Sequence, residues 1–378
     1  MTDRDALLAA ITADPDDDTP RLVYADWLDE HDEGERAEFI RAQCRLEHLS
    51  PRTNEAKRLT KRATELCAKL FGHLAALGFT GLTFRRGFVG TITSGLLHFC
   101  DHAAALTAED APAYSLTLEE DERDATLRES DYEAYAAAAG DLGVHSELRR
   151  CVSLGLPCLG MDPTSYLFES EQLVNLRQLN FPNNEAGPNI ESIASPTFTN
   201  LRWANFNYSN SAGGRPSIVP LAESLHLANL EHLDFGSNAL HNYDAKAVAV
   251  AAQWTKLRFL CLSSGSFSAE ATAALFNTPR LPTLAELDVS HSFESFGETA
   301  KPEDYIHQIA GSPLLARLSK LWLRGNSITD DAAKALAAAP GDVKLTLLDL
   351  SDNPIGAAGK RALRKRFGKD VCVFGGDP

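Results

Sequence analysis

A nine-residue pattern recurs seven times from Leu176 onward, and no other feature restricts the fold as strongly. The segments are "LRQLNFPNN" from Leu176, "LRWANFNYS" from Leu201, "LEHLDFGSN" from Leu230, "LRFLCLSSG" from Leu257, "LAELDVSHS" from Leu284, "LSKLWLRGN" from Leu318 and "LTLLDLSDN" from Leu345. All fit L-x-x-[L/A]-x-[L/F/V]-x-x-[N/S/G], at start-to-start spacings of 25, 29, 27, 27, 34 and 27 residues. A period of this length marks one supersecondary unit that cannot bury its apolar face alone and must stack on its neighbours. Positions one, four and six then point inward and build a continuous core. Alternation from position three to position seven implies a short parallel strand. At position nine, Asn184, Asn238, Asn326 and Asn353 offer donors and acceptors to turning backbone. Ser209, Gly265 and Ser292 replace them elsewhere, which predicts an interrupted ladder.

Between the strands lie Ala-rich helical stretches such as "DAKAVAVAAQW" (244–254) and "DDAAKALAAAP" (330–340), the latter capped by Thr329 or Asp330 and ended by Pro340. Weaker coils precede the clear ones: "GFVGTITSG" (87–95), "AYSLTLEE" (113–120) and "LRRCVSLGLP" (148–157) each supply a candidate strand. The end, "KDVCVFGG", reads as a closing strand. The pattern resembles leucine-rich repeats of the ribonuclease-inhibitor type. That resemblance implies an α/β solenoid over residues 76–378, irregular at 76–170 and clear at 171–378, with parallel strands on a concave face and helices on a convex one.

Residues 1–75 lack the repeat. "DALLAAITAD" reads as a first helix, and "DTPRLVYADWLDEH" as a second with Thr19 as cap and Pro20 at the first helical position. Gly34 breaks it, and "ERAEFIRAQCRLEHL" and "NEAKRLTKRATELCAKLF" follow as two more. Residues 1–33 carry 11 acids and 2 bases, 34–70 carry 5 and 9, so the helices are expected to complement one another, Asp26 or Asp29 near Arg36 or Arg41. "DTPRLVYADWLDEHDEGERAEFIRAQ" resembles the bacterial repeat-companion domain, a short module found ahead of leucine-rich repeats, and "FRRGFVGTITS" (84–94) is similar to the segment that often joins it to them. The resemblance implies an N-terminal all-α module without established enzymatic activity. Its Tyr24, Asp26, Trp27, Arg36, Phe39 and Arg41 are expected to pack a helical cap or to dock a second protein.

Charge narrows the partners. The formal net charge is −16, concentrated at 76–359 with 34 acids and 19 bases, while 360–378 carry 2 and 6. Such a body repels nucleic acid and anionic membranes and steers basic proteins toward it. The basic run "KRALRKRFGK" (360–369) reads as the solvated face of a last helix rather than an anion site. Seven scattered cysteines form no CxxC pair or even framework, and the acidic first residues do not look like a secretory leader. These features predict reduced thiols and a cytoplasmic location.

Catalytic chemistry finds little support. In "HFCDH", His98 and His102 lie at i and i+4, yet zinc wants a third ligand that the neighbourhood does not offer, so an exposed histidine pair is expected. The acidic "EEDERD" (119–124) lacks calcium-loop spacing and reads as a solvated turn. Phosphate-loop, HExxH and GxSxG motifs are absent. The concave face is more informative: Trp203, Phe259 and Trp322 are large apolar groups at positions that need no burial, among Asn205, Asp234, Asp288, Asp349 and Arg324. The expectation is a non-enzymatic scaffold that binds a protein there and needs no cofactor or metal. A metal-dependent enzyme with a site within 84–160 and a self-assembling architectural protein are the alternatives.

Overall fold

A computed structural model describes residues 2–156, 167–183, 190–209, 217–293 and 301–375. Asn184 and Cys158 lie outside them. The chain forms two compact units, divided between Gln178 and Leu179.

The first unit opens with helices α1 (Asp3–Ala13), α2 (Thr19–Glu30), α3 (Gly34–Glu47), α4 (Asn54–Leu70) and the short α5 (Gly72–Ala75). Leu8, Ile11, Tyr24, Ala25, Leu28, Ile40 and Cys44 share a core with Phe88 of a later strand. Two expected boundaries shift. Thr19 lies inside α2, and Asp17 accepts its N–H at 2.9 Å, so Asp17 rather than Thr19 supplies the side-chain acceptor. Gly34 does not break the helix but opens α3; the reversal is made by Asp32, at φ 62°. The Glu33 N–H reaches back to the Leu28 carbonyl at 2.9 Å, the closing bond of a Schellman turn with aspartate in the left-handed position that glycine usually fills.

Strand β1 (Gly81–Arg85), not foreseen in the sequence, pairs antiparallel with β2 (Phe88–Ser94). Arg86 (φ 53°) and Gly87 (φ 86°) make the two-residue loop, and both positive angles are what a type I′ turn demands. A Cβ on Gly87 would lie 2.4 Å from Ile40 Cγ1, so that position admits only glycine. From β2 the strands run parallel through β3 (Tyr114–Leu118) to β4 (Cys151–Gly155), with α6 (Leu96–His102), α7 (Glu122–Ser130) and α8 (Tyr132–Val144) between them.

The "EEDERD" run is solvated only in part, and it ends in a helix rather than a turn. Asp124 is fully buried, and its carboxylate accepts the Leu96 and Leu97 N–H groups at 2.7 and 3.0 Å, capping α6. With Asp121 it also forms the capping box of its own helix α7.

In the second unit each repeat contributes one three-residue strand. They are β5 (Gln178–Asn180), β6 (Trp203–Asn205), β7 (His232–Asp234), β8 (Phe259–Cys261), β9 (Glu286–Asp288), β10 (Lys320–Trp322) and β11 (Leu347–Asp349). The two-residue β12 (Cys372–Val373) closes the series. From β6 to β12 neighbours pair in parallel, like position against like position. The returning segments include α9 (Ile190–Ile193), α10 (Val219–Glu223), α11 (Asn242–Val250), α12 (Ala269–Phe276), α13 (Pro302–Ala310), α14 (Asp330–Ala337) and α15 (Ala357–Phe367). Thr329 caps α14 by accepting the Ala332 N–H at 3.3 Å.

The repeat is also conformational. Position eight is left-handed in all seven copies: Asn183, Tyr208, Ser237, Ser264, His291, Gly325 and Asp352 have φ between 52° and 64°. From Asn183 to Gly325, its N–H donates at 2.8–3.0 Å to the position-seven carbonyl of the following repeat. Side chains usually avoid this region, and the bond between coils is what holds them there.

The position-nine ladder continues through serine. Asn238 is fully buried; its Nδ2 donates to the Phe206 and Phe235 carbonyls at 2.8 and 3.0 Å, and its Oδ1 accepts the Ser209 N–H at 2.7 Å. Ser209 Oγ then donates to the Phe181 carbonyl at 3.2 Å, and Ser292 Oγ to the Leu262 carbonyl at 3.0 Å. The hydroxyl reaches the carbonyl that an asparagine amide would otherwise reach, so the interruption expected at Ser209 and Ser292 does not occur.

Candidate functional site

Positions three and five of each strand project on the same side of the second unit's sheet, opposite the buried position four. Parallel strands lie about 4.8 Å apart, so like positions in neighbouring coils meet at stacking distance. At position three, Trp203 stacks on His232 (5.1 Å between centroids, 19° between planes), and His232 on Phe259 (4.1 Å, 6°). Trp322, at position five of β10, meets Phe259 edge to face at 6.2 Å. All four rings are half-buried. The structure thus joins the three aromatics singled out in the sequence into one row. It adds His232, which the sequence analysis did not single out. The clue was its register between Trp203 and Phe259. Beyond Phe259 the row continues as an ion pair, Glu286 with Lys320 at 3.0 Å.

The polar residues at position five of this face have a structural task as well. Asn205, Asp234, Asp288 and Asp349, all at position five, each accept the N–H two residues on, at 2.8–3.0 Å, and so satisfy the backbone where it leaves the strand. Asp234 additionally accepts from Asn207 Nδ2 at 3.2 Å. Arg324 is spent on Asp352 at 2.6 Å. Burial pushes the Asp288 carboxyl above its ordinary range, against the opposing pull of its bonds from Ser290. Burial likewise holds the His232 imidazole below its usual value, although Asp234 and Glu286 favour its protonated form. Cys261, between Asp234 and Asp288 in register, has its thiol pushed up by burial, which suits a packed hydrophobe and not a nucleophile.

In the first unit Tyr24 and Phe39 are buried, and Trp27 is half-buried, stacked on His31 at 3.7 Å with the Arg4 guanidinium 4.9 Å from its ring. Arg41 bridges Asp26 and Asp29 at 2.6 and 2.7 Å, as charge complementarity suggested. Arg36 meets neither: it donates to the Glu109 carbonyl at 2.9 Å and lies 4.4 Å from the Phe71 ring and 4.8 Å from the Phe88 ring. Desolvation lowers its pKa to about 10, while the aromatic faces supply the attraction that water no longer gives.

His98 and His102 are half-buried rather than exposed, with rings stacked at 4.4 Å and Phe79 edge-on to both. His102 Nδ1 is 2.9 Å from the His98 carbonyl. Among the described residues no group of three His, Cys, Asp or Glu side chains is placed to hold a metal ion. No helix among them is long and apolar enough to cross a membrane.

A strand, a left-handed turn, a polar ladder and a returning segment, repeated with leucines at fixed inward positions, define the architecture. The sequence model of the leucine-rich repeat matches residues 342–363, the copy that contains β11 and the start of α15. The fold is a leucine-rich-repeat solenoid. The solved structures similar to this chain include the following two. One is a Bacteroides fragilis protein, 13% identical, with 69% of this chain and 66% of that one covered at a TM-score of 0.36. The other is an internalin from Listeria monocytogenes, 13% identical, with 61% and 83% covered at a TM-score of 0.28. No curated protein matches the chain significantly in sequence.

Proposed function

We propose that this leucine-rich-repeat chain is a non-enzymatic scaffold that binds a protein through the strand face of its second unit, the concave face in an arc of such repeats. The observation that carries the reading is the half-buried aromatic row Trp203–His232–Phe259–Trp322. Aromatics held rigid by stacking give up little conformational entropy on binding, which is what suits them to anchor an interface. Asp234, Asp288 and Asp349 border the row, and a net charge of −16 favours a basic partner surface. Residues 1–75 are the repeat-companion module in this reading, and 76–378 the solenoid. In the module, Tyr24, Arg36 and Phe39 act in packing. Asp26, Trp27 and Arg41 remain reachable for a second partner.

The test compares wild type with a Trp203→Ala, Phe259→Ala, Trp322→Ala variant whose circular dichroism matches it. A protein captured from native lysate, then purified, is titrated against both. Loss of affinity in the variant, and salt-sensitive binding to wild type, support the reading. Equal affinity for both overturns the assignment of the face.

A further inference from the structure

A separate feature of the first unit runs against the charge of the whole chain. A cavity of about 190 Å³ is lined by four arginines, Arg21, Arg85, Arg86 and Arg177, and by one carboxylate, Asp16. Its walls come from the loop after α1, the start of α2, the β1–β2 turn and the faces of β2, β3 and β4. In a protein of net charge −16 such a concentration of guanidinium groups calls for a reason.

Arg21 is the decisive member. It is only 4% exposed, and its Nη1 donates to the Asp17 carbonyl at 2.9 Å. Its Nε is buried without a hydrogen-bond partner, and no carboxylate among the described residues lies within ion-pair distance of it. The ring of Phe88 lies 5.9 Å away, at the outer limit of a cation–π contact, and brings no counter-charge. Arg36 also keeps one buried nitrogen without a partner, but its guanidinium lies 4.4 and 4.8 Å from two aromatic rings and away from the cavity. Arg21 lacks that arrangement.

The neighbouring arginines do not relieve it. Arg86 is 9% exposed, pairs with Asp18 at 3.0 Å and donates to the Asp16 carbonyl, and its backbone is held left-handed. Arg85 pairs with Glu47 at 3.1 Å and Arg177 donates to the Ala13 carbonyl. Desolvation of Arg21 outweighs the pull of the more distant Asp18 and Asp16, and the guanidinium does not escape by losing its proton at neutral pH. We infer that the cavity is a binding site for a phosphate-class oxyanion, with Arg21 as its central donor and Arg177 as a second donor of its lining. A tetrahedral dianion presents oxygens to several walls at once, whereas a carboxylate satisfies a single guanidinium fork.

The experiment is calorimetric titration of the full chain with inorganic phosphate against chloride at matched ionic strength, with the thermal midpoint followed in parallel. The expected result is one saturable site and a raised midpoint. Arg21→Gln should abolish both. Arg177→Gln, which leaves the buried arginine in place, should weaken binding at least about tenfold, the worth of one charge-assisted hydrogen bond. A Lys360→Gln, Arg361→Gln, Arg364→Gln variant controls for the basic last helix and should bind as wild type. Phenyl phosphate as a second probe separates sources: retained affinity supports an ion carried on a larger molecule, and lost affinity with phosphate still bound supports the free ion. Absence of saturable phosphate binding, unchanged binding in a folded Arg177→Gln protein, or loss in the last-helix variant alone would overturn the inference.

Discussion

The His232 imidazole lies parallel to the Phe259 ring, 4.1 Å between centroids and 6° between planes. The two come from adjacent strands at the same register position, so the spacing of the sheet itself sets the stack. A third ring, Trp203, extends it on the other side. The aromatic row is thereby ordered by the repeat itself.

Replacing His232 with alanine should remove two stacking contacts at once. Aromatic pairs contribute about 0.5–1.5 kcal/mol each beyond area burial, and this row is half exposed. The expected loss is roughly 1 kcal/mol in urea denaturation, with His232→Phe recovering most of it. An alanine variant as stable as wild type would mean that the row is not energetically coupled.

The polar ladder predicts a larger effect. Asn238→Ala leaves the Phe206 and Phe235 carbonyls and the Ser209 N–H without partners in a fully buried site. At about 1–3 kcal/mol per unsatisfied buried group, partly relaxed, the cost should reach roughly 2–4 kcal/mol. Asn238→Asp should be no better, because an acceptor would then face two carbonyls. Chemical denaturation with an unchanged m-value checks both. A loss below about 1 kcal/mol would show that the ladder is dispensable.

The register of all seven repeats was legible because one error of a residue would turn Leu230, Leu233 and Phe235 out of the core. The paired rows at positions three and five follow from that register alone. Features that depend on a distant partner were not legible. Asp124 reads as part of a charged run, and its burial is decided by Leu96 and Leu97 of another helix. Asp32 takes the left-handed turn beside a glycine that looked better suited, since the Glu33-to-Leu28 bond fixes the chain there. The aromatic candidates were found by position, but His232 gained its role only once the rings on either side were seen to stack on it.

Asp124 offers a sharp contrast of substitutions. Asp124→Ala removes acceptors from two N–H groups of α6 and one end of the α7 capping box, and should cost about 2–3 kcal/mol. Asp124→Asn keeps one acceptor oxygen and should cost clearly less. Thermal denaturation of the two side by side is the measurement. Equal losses would deny the carboxylate its double capping role.

Asp288 carries the pH dependence. Burial raises its folded-state pKa above the ordinary value of 3.8, and nearby Asp234 pushes in the same direction. The folded chain therefore binds this proton more tightly than the unfolded chain does. Its contribution to stability is fully present below the unfolded pKa and is lost as pH rises through the higher folded one. An amide at this position still accepts the Ser290 N–H, now made to the carboxylate at 2.8 Å, but does not titrate. Asp288→Asn should thus melt at or above the wild-type temperature at pH 7. Its advantage should shrink as pH falls toward 4, where the wild-type carboxyl takes up its proton. Thermal midpoints of both proteins across that range isolate the residue, because every other titrating group is common to the pair. A difference independent of pH would place the ionised Asp288 in water rather than in the half-buried row between Cys261 and Trp322.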